Sequence, residues 1–177
     1  MENHIHSAVN EILEQGIELL GSITTEQYIL PHPFANNASI GKHYRHCLEH
    51  FEPLFQTGEG LIDYDARKRD PLIETNLMAA LDRTHQIILQ CDHLTTKPLD
   101  QEVRVRCKVA YSEVDEPVAK STLAREWMYG IAHAIHHYAI IRIMCRMQDI
   151  TLSPNFGVAP STEKHLNGQH LAIASNQ

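Results

Sequence analysis

The chain has 177 residues, carries 15 Lys+Arg against 22 Asp+Glu for a net charge of −7 with histidine neutral, and is 43% hydrophobic. That length suits one domain able to bury its own core without disulfides or a structural metal, and the composition excludes wholesale disorder. The acidic balance argues against broad nucleic-acid binding, which relies on clustered Lys and Arg.

Residues 5–20 place Ile5, Val9, Ile12, Leu13, Leu19 and Leu20 at spacings a helix gathers on one face, and Gly21-Ser22 marks its stop. Residues 22–38, with Pro31, Pro33 and Asn36-Asn37, have loop composition. Ser39 predicts the cap of a second helix over about 39–57, with Ile40, Cys47, Leu48, Phe51, Leu54 and Phe55 as core positions and Pro53 as a late breaker. Residues 58–74 read as a surface connection, and their alternating charge run Asp65–Asp70 as a solvated face. A third helix is expected over about 75–94, using Leu77, Leu81, Ile88 and Leu89.

Between 102 and 110 the period changes. Val103, Val105, Cys107 and Val109 alternate with Arg104, Arg106 and Lys108, which predicts a strand. Ser112–Glu116 would form the turn and Pro117–Ala119 a return strand, and such a hairpin needs helices to lie against. Ser121 or Thr122 caps a fourth helix over about 122–148, with Leu123, Trp127, Met128, Ile131, Ile135, Tyr138, Ile141 and Met144 available to the core. Pro154, Gly157 and Pro160 end regular structure. The expectation is an all-α antiparallel four-helix bundle over 1–150, with a small β-hairpin between helices three and four, then an irregular tail over 151–177. The N-terminus lacks the features of a signal peptide, the longest apolar stretch is broken by His and Arg, and the four cysteines form no C-x-x-C pair. A cytoplasmic protein with reduced thiols is expected, away from membranes.

Thirteen histidines are the unusual feature, and six fall in two short clusters. In Ala132-His133-Ala134-Ile135-His136-His137, His133 and His137 are about 40° apart around a helix and one turn up, so two imidazoles can grip one ion. His136 lies to the other side of His133. In the second helix, His43, His46 and His50 follow i, i+3, i+7 and share a stripe, which leaves the choice of ligand there open. Two ligands from one helix and one from a facing helix give three imidazoles with coordination positions left over, the pattern of a catalytic rather than a structural site. A closed site would instead take a fourth ligand such as His43, His50 or Cys47. His4, His6, His32, His165 and His170 sit near ends or loops and are expected on the surface, with His85 and His93 on a helix surface. Trp127 and Tyr138 are read as core. No Gly-x-Ser-x-Gly elbow, phosphate loop or dinucleotide fingerprint occurs.

The stretch Ser39-Ile-Gly-Lys-His-Tyr-Arg-His46, with Ser121-Thr-Leu-Ala-Arg-Glu126 and His133-Ala-Ile-His-His137, resembles the DinB/YfiT-like superfamily over about residues 5–150. Ile62–Arg67 and Phe156–Ser161 look typical of an uncharacterised bacterial branch of it. The resemblance implies a four-helix bundle, often a homodimer, with a divalent metal ion on three histidines, here His46, His133 and His137. Characterised relatives include thiol-dependent transferases and isomerases and an iron-dependent domain. On this reading the protein is a metal-dependent enzyme of thiol-transferase or hydrolase type. It would use Zn, Ni or Fe, with a small-molecule thiol or other small substrate as partner. His50 or His136 would serve as orienter or proton shuttle. The rival reading is a non-catalytic bundle that binds metal or a partner.

Overall fold

The computed structural model describes residues 2–56, 60–93, 98–111 and 116–165. Four long helices carry the architecture: α1 (Glu2–Ser22), α3 (Ile40–Phe55), α5 (Leu77–His93) and α6 (Leu123–Met147). The described residues also include two short helices, α2 (Thr25–Ile29) and α4 (Pro71–Thr75), a 3-10 turn (Pro33–Ala35) and three strands, β1 (Leu61–Asp63), β2 (Glu102–Arg106) and β3 (Val118–Thr122). α1 packs on α5 and α6, α3 packs on the same two, and the α3–α6 contact is the most extensive. Their facing stripes form one core that includes Val9, Leu13, Leu48, Phe51, Ala134 and Ile141. Each large side chain buried fully there contributes roughly 1.5–3 kcal/mol.

The helix starts follow local chemistry. The Ser39 hydroxyl accepts the Lys42 amide at 3.0 Å and caps α3. Thr122 accepts the Arg125 amide and caps α6. Pro53 sits in the last turn of α3, where its carbonyl accepts the Gln56 amide as the helix ends. Within α5 the buried stripe is Ala80, Thr84, Ile87 and Cys91, so the expected phase is one position off, and Leu89 is exposed. On α6, Met128 is likewise exposed rather than core.

Two segments read as loops contain structure. α2 begins with a capping box, in which Thr24 accepts the Gln27 amide and the Gln27 side chain accepts the Thr24 amide. Residues 58–74, read as a surface connection, hold β1 and α4, with Ile62, Tyr64 and Ile73 buried. The strands form one sheet in the order β1-β2-β3. β2 and β3 are antiparallel, with Val103 opposite Ser121, and β1 adds a parallel strand with Ile62 opposite Val105. β2 stops at Arg106, short of the expected residue 110, and the return strand runs Val118–Thr122 rather than 117–119. Most of the expected turn, residues 112–115, lies outside the described residues.

After α6 the chain folds back. Phe156 is buried and stacks on Tyr138 with ring centroids 4.8 Å apart. Gly157 has φ +67° and lies against the backbone of Tyr138 and Ala139, a position that takes no Cβ. Residues 160–165 are helical.

Candidate metal centre

α3 and α6 present their histidines to each other. One imidazole nitrogen each from His46, His50 and His133 lie within 4.8 Å of one another, close enough to share one metal ion. The rings of His50 and His133 are 3.8 Å apart between centroids, those of His46 and His133 4.9 Å. His137 adjoins this set, its ring 4.7 Å from that of His46 and 4.6 Å from that of His133. Its Nδ1 stands 2.9 Å from Nδ1 of His43, so one of these two rings donates to the other. His136 is exposed, with its ring 5.2 Å from that of His137.

The donor set fits a transition-metal ion. The Nε2 of His133 is buried with no hydrogen-bond partner among the described residues, a state that ordinarily costs desolvation energy. Nδ1 of His50 lies 2.8 Å from the carbonyl oxygen of His46, to which it donates, leaving the Nε2 lone pair of His50 available. Burial, reinforced by the positive field of neighbouring imidazoles and Arg67, pulls the pKa of His133 and His137 down to about 3 and that of His46 to about 2. Burial brings His50 to about 4. These rings are therefore neutral at physiological pH, as ligands must be.

The same values set the acid limit of the metal-free protein. In the unfolded chain these imidazoles titrate near 6.5. Below that pH the unfolded state holds more protons than the folded one, so their contribution to stability is complete above about pH 6.5 and is lost as pH falls toward the folded values of about 2 to 4. With chelator present, the melting temperature should fall steadily from pH 7 to pH 5, before most carboxylates protonate. A flat profile over that interval would refute neutral buried rings.

The charge run read as a solvated face enters the site. Arg67 follows β1 and lies half-buried among the imidazoles. Its Nη1 donates to Nδ1 of His46 at 2.7 Å and lies 3.2 Å from Nδ1 of His50, and its Nε donates to the carbonyl of Tyr64. Burial lowers its pKa from the usual arginine range. The segment is fixed by an ionic anchor on α3. Glu49 accepts two hydrogen bonds from Arg45, at 2.9 and 3.0 Å, and the amide of Asp70 at 3.0 Å. Arg45 Nε also stands 3.1 Å from Glu74, a charge contact without hydrogen-bond alignment.

Tyr64 and Tyr129 form the wall between the imidazoles and a cleft of about 490 Å³, which Val105, Cys107, Ala119 and Arg125 also line. Tyr64 stacks on His50 at 5.6 Å, and Tyr129 lies 5.8 Å from the His133 ring. The Tyr64 hydroxyl donates to buried Glu126 at 2.8 Å, and Glu126 also accepts from Ser121 at 2.6 Å. Burial and that carboxylate hold the Tyr64 phenol well above its usual pKa, so it stays a donor.

Sequence reading placed the two helices and their histidines but missed Arg67, Tyr64 and Tyr129. Only the alternation Ile62-Asp63-Tyr64 hinted at the strand that delivers the first two. Trp127 packs on Phe51 and Phe55, and Tyr138 on Tyr44 and Phe156, so both belong to the core. Cys47 is buried and its thiol pKa is pushed up by desolvation, the state of a small hydrophobe. His32, expected on the surface, is buried, with its Nε2 3.0 Å from the side-chain amide nitrogen of Gln148. His4, His85 and His165 are exposed, and His6 is half-buried. His170 and the side chain of His93 lie outside the described residues.

No protein-family model matches the chain. The FK506-binding protein 5 of Rhizopus delemar is 30% identical over 109 residues, which are 62% of this chain and 28% of that protein. The chain thus spans less than a third of that curated relative. A crystal structure of the DinB-like protein YjoA of Bacillus subtilis superimposes with a TM-score of 0.62, covering 88% of this chain and 99% of that one at 20% identity. This chain has a DinB-like fold. At that identity the likeness concerns fold, and within this DinB-like fold the facing histidines of α3 and α6 define the candidate centre. Among the described residues no helix is long and apolar enough to cross a membrane.

Proposed function

We propose that the protein is a metal-dependent enzyme acting on a small molecule, built as an antiparallel four-helix bundle with the β2–β3 hairpin beside its active centre. The carrying observation is the convergence of neutral imidazoles from two helices next to a cleft. His46, His133 and His137 are the proposed ligands. His43 would orient His137 through the Nδ1 pair, as outer partners of metal-bound imidazoles do. His50, stacked on Tyr64 and facing His133, is the proposed proton-transfer group.

A divalent ion held there would act as a Lewis acid and acidify a coordinated water or thiol, the chemistry of a hydrolase or thiol transferase. The chain's own residues supply the rest. The Tyr64 and Tyr129 rings separate the polar centre from the cleft and reduce water access to it. The Tyr64–Glu126–Ser121 hydrogen bonds hold that wall to the start of α6.

A second reading has one observation in its favour. The His50 nitrogen stands inside the close set, and as a fourth ligand it would close the site and leave a non-catalytic metal-binding protein. The test is elemental analysis of untagged protein purified without added metal. Near-stoichiometric Zn, Ni or Fe is expected. Metal-free protein that also fails to bind these ions on titration would refute both readings.

A further inference from the structure

Arg67 places a cation where a metal-binding site would ordinarily keep none. A guanidinium only donates hydrogen bonds, so its 2.7 Å contact occupies the Nδ1 lone pair of His46. Among the described residues Arg67 forms no ion pair. Glu49 and Asp65 lie close enough to favour its charge. Glu49, however, is committed to Arg45 and the Asp70 amide, and a carboxylate oxygen of Asp65 accepts the Lys108 amide. The histidines are neutral. A divalent ion added to this half-buried cluster would bring its two charges beside a third, with no carboxylate ligand to offset them. At close range in a partly dry site that repulsion is substantial.

We propose that Arg67 makes this an anion-dependent metal site, in which the ion and a small organic carboxylate bind cooperatively. This rests on the metal-binding reading above. Without the carboxylate, Arg67 opposes the ion, by charge and by holding the His46 lone pair. With it, ion and guanidinium share one negative head group. A carboxylate suits the planar fork of arginine better than a point-charge anion does.

Cooperativity of this kind is reciprocal: whatever the carboxylate adds to metal affinity, the metal adds to carboxylate affinity. The experiment titrates metal-free protein with Co²⁺ in a non-coordinating buffer, following the visible absorption of the ion. Separate arms contain acetate, butyrate and the neutral analogue butyramide. For the parent protein, acetate and butyrate should each tighten Co²⁺ binding about tenfold, within the usual range of such couplings, and butyramide not at all. Arg67→Gln should bind Co²⁺ more tightly than the parent when no carboxylate is present and should lose the coupling. Arg67→Lys, which keeps the charge, should retain part of it, and thermal melts will confirm that both variants fold.

Parent binding indifferent to butyrate would overturn the proposal without any variant being needed. So would a Gln variant with unchanged coupling, or one that binds Co²⁺ more weakly than the parent, which would make Arg67 a structural support. A parent that binds no Co²⁺ in any arm would overturn it by a different route, because the metal-binding reading would then have failed first.

Discussion

Alanine at His133 or at His46 is expected to strip the protein of its metal. Both rings belong to the close set, and the Nε2 of His133 has no hydrogen-bond partner among the described residues. Loss of an outer partner of a metal ligand costs about 10–100-fold in affinity, so loss of a ligand should exceed about 100-fold. His137→Ala should match these two, and His50→Ala should hold the ion within about tenfold of the parent affinity. The comparison separates the two functional readings. If His50→Ala and His137→Ala both lose metal as completely as His133→Ala does, the site has four protein ligands and is closed. If His137→Ala keeps its metal, the H-x-x-x-H pair is not the grip. None of these rings is fully enclosed by apolar core, so each variant should fold, and melts in chelator can verify that loss of metal is not loss of structure.

The second large effect concerns stability. A methyl group on Gly41 would meet the backbone carbonyl of Glu74 and, at 2.7 Å, the ring of Tyr28. Neither can move cheaply. Tyr28 is fully buried and donates its hydroxyl to the Ile73 carbonyl at 2.7 Å, which ties α2 to α4. Gly41→Ala therefore forces α3 and α4 apart. Overpacking of this kind costs typically 1–3 kcal/mol and more against rigid backbone, so about 3 kcal/mol is expected. For a chain of this size that lowers the melting temperature by on the order of 10 °C. Gly21→Ala is the control, since an added methyl there meets nothing within 4 Å. It should leave stability unchanged or raise it slightly, because alanine is the better helix former. Equal melting temperatures for the two variants would contradict the close packing of α3 on α4. Because α4 follows directly on the Arg67 segment, Gly41→Ala should also loosen the site.

The long helices were legible because each buries one stripe at helical period, and α3 and α6 announced themselves by caps at Ser39 and Thr122. The phase of α5 was not legible. Ile87, Ile88 and Leu89 are all apolar, so spacing alone does not choose among them, and packing selects Ile87. The short elements failed for another reason. Thr24-x-x-Gln27 and Asp70-Pro71 are recognisable helix starts, but five-residue helices carry too little periodicity to outweigh the loop composition around them. The histidine clusters were visible as spacing on single helices, and the closeness of His46 to His133 needed only that the two helices face each other. Arg67 was invisible in principle. An alternating charge run on a connection is ordinarily solvated, and only the pairing of β1 with β2 and the Arg45–Glu49 anchor turn one of its cations inward.

β1 is three residues long and, among the described residues, lies at the edge of its sheet with a hydrogen-bonded neighbour on one side. Detaching it breaks a few ladder bonds and uncovers Ile62 and Tyr64, whereas separating α3 from α6 would uncover the core of the protein. Local opening at this edge would expose Tyr64, which stacks on His50, at far smaller cost than parting the helices that carry the imidazoles.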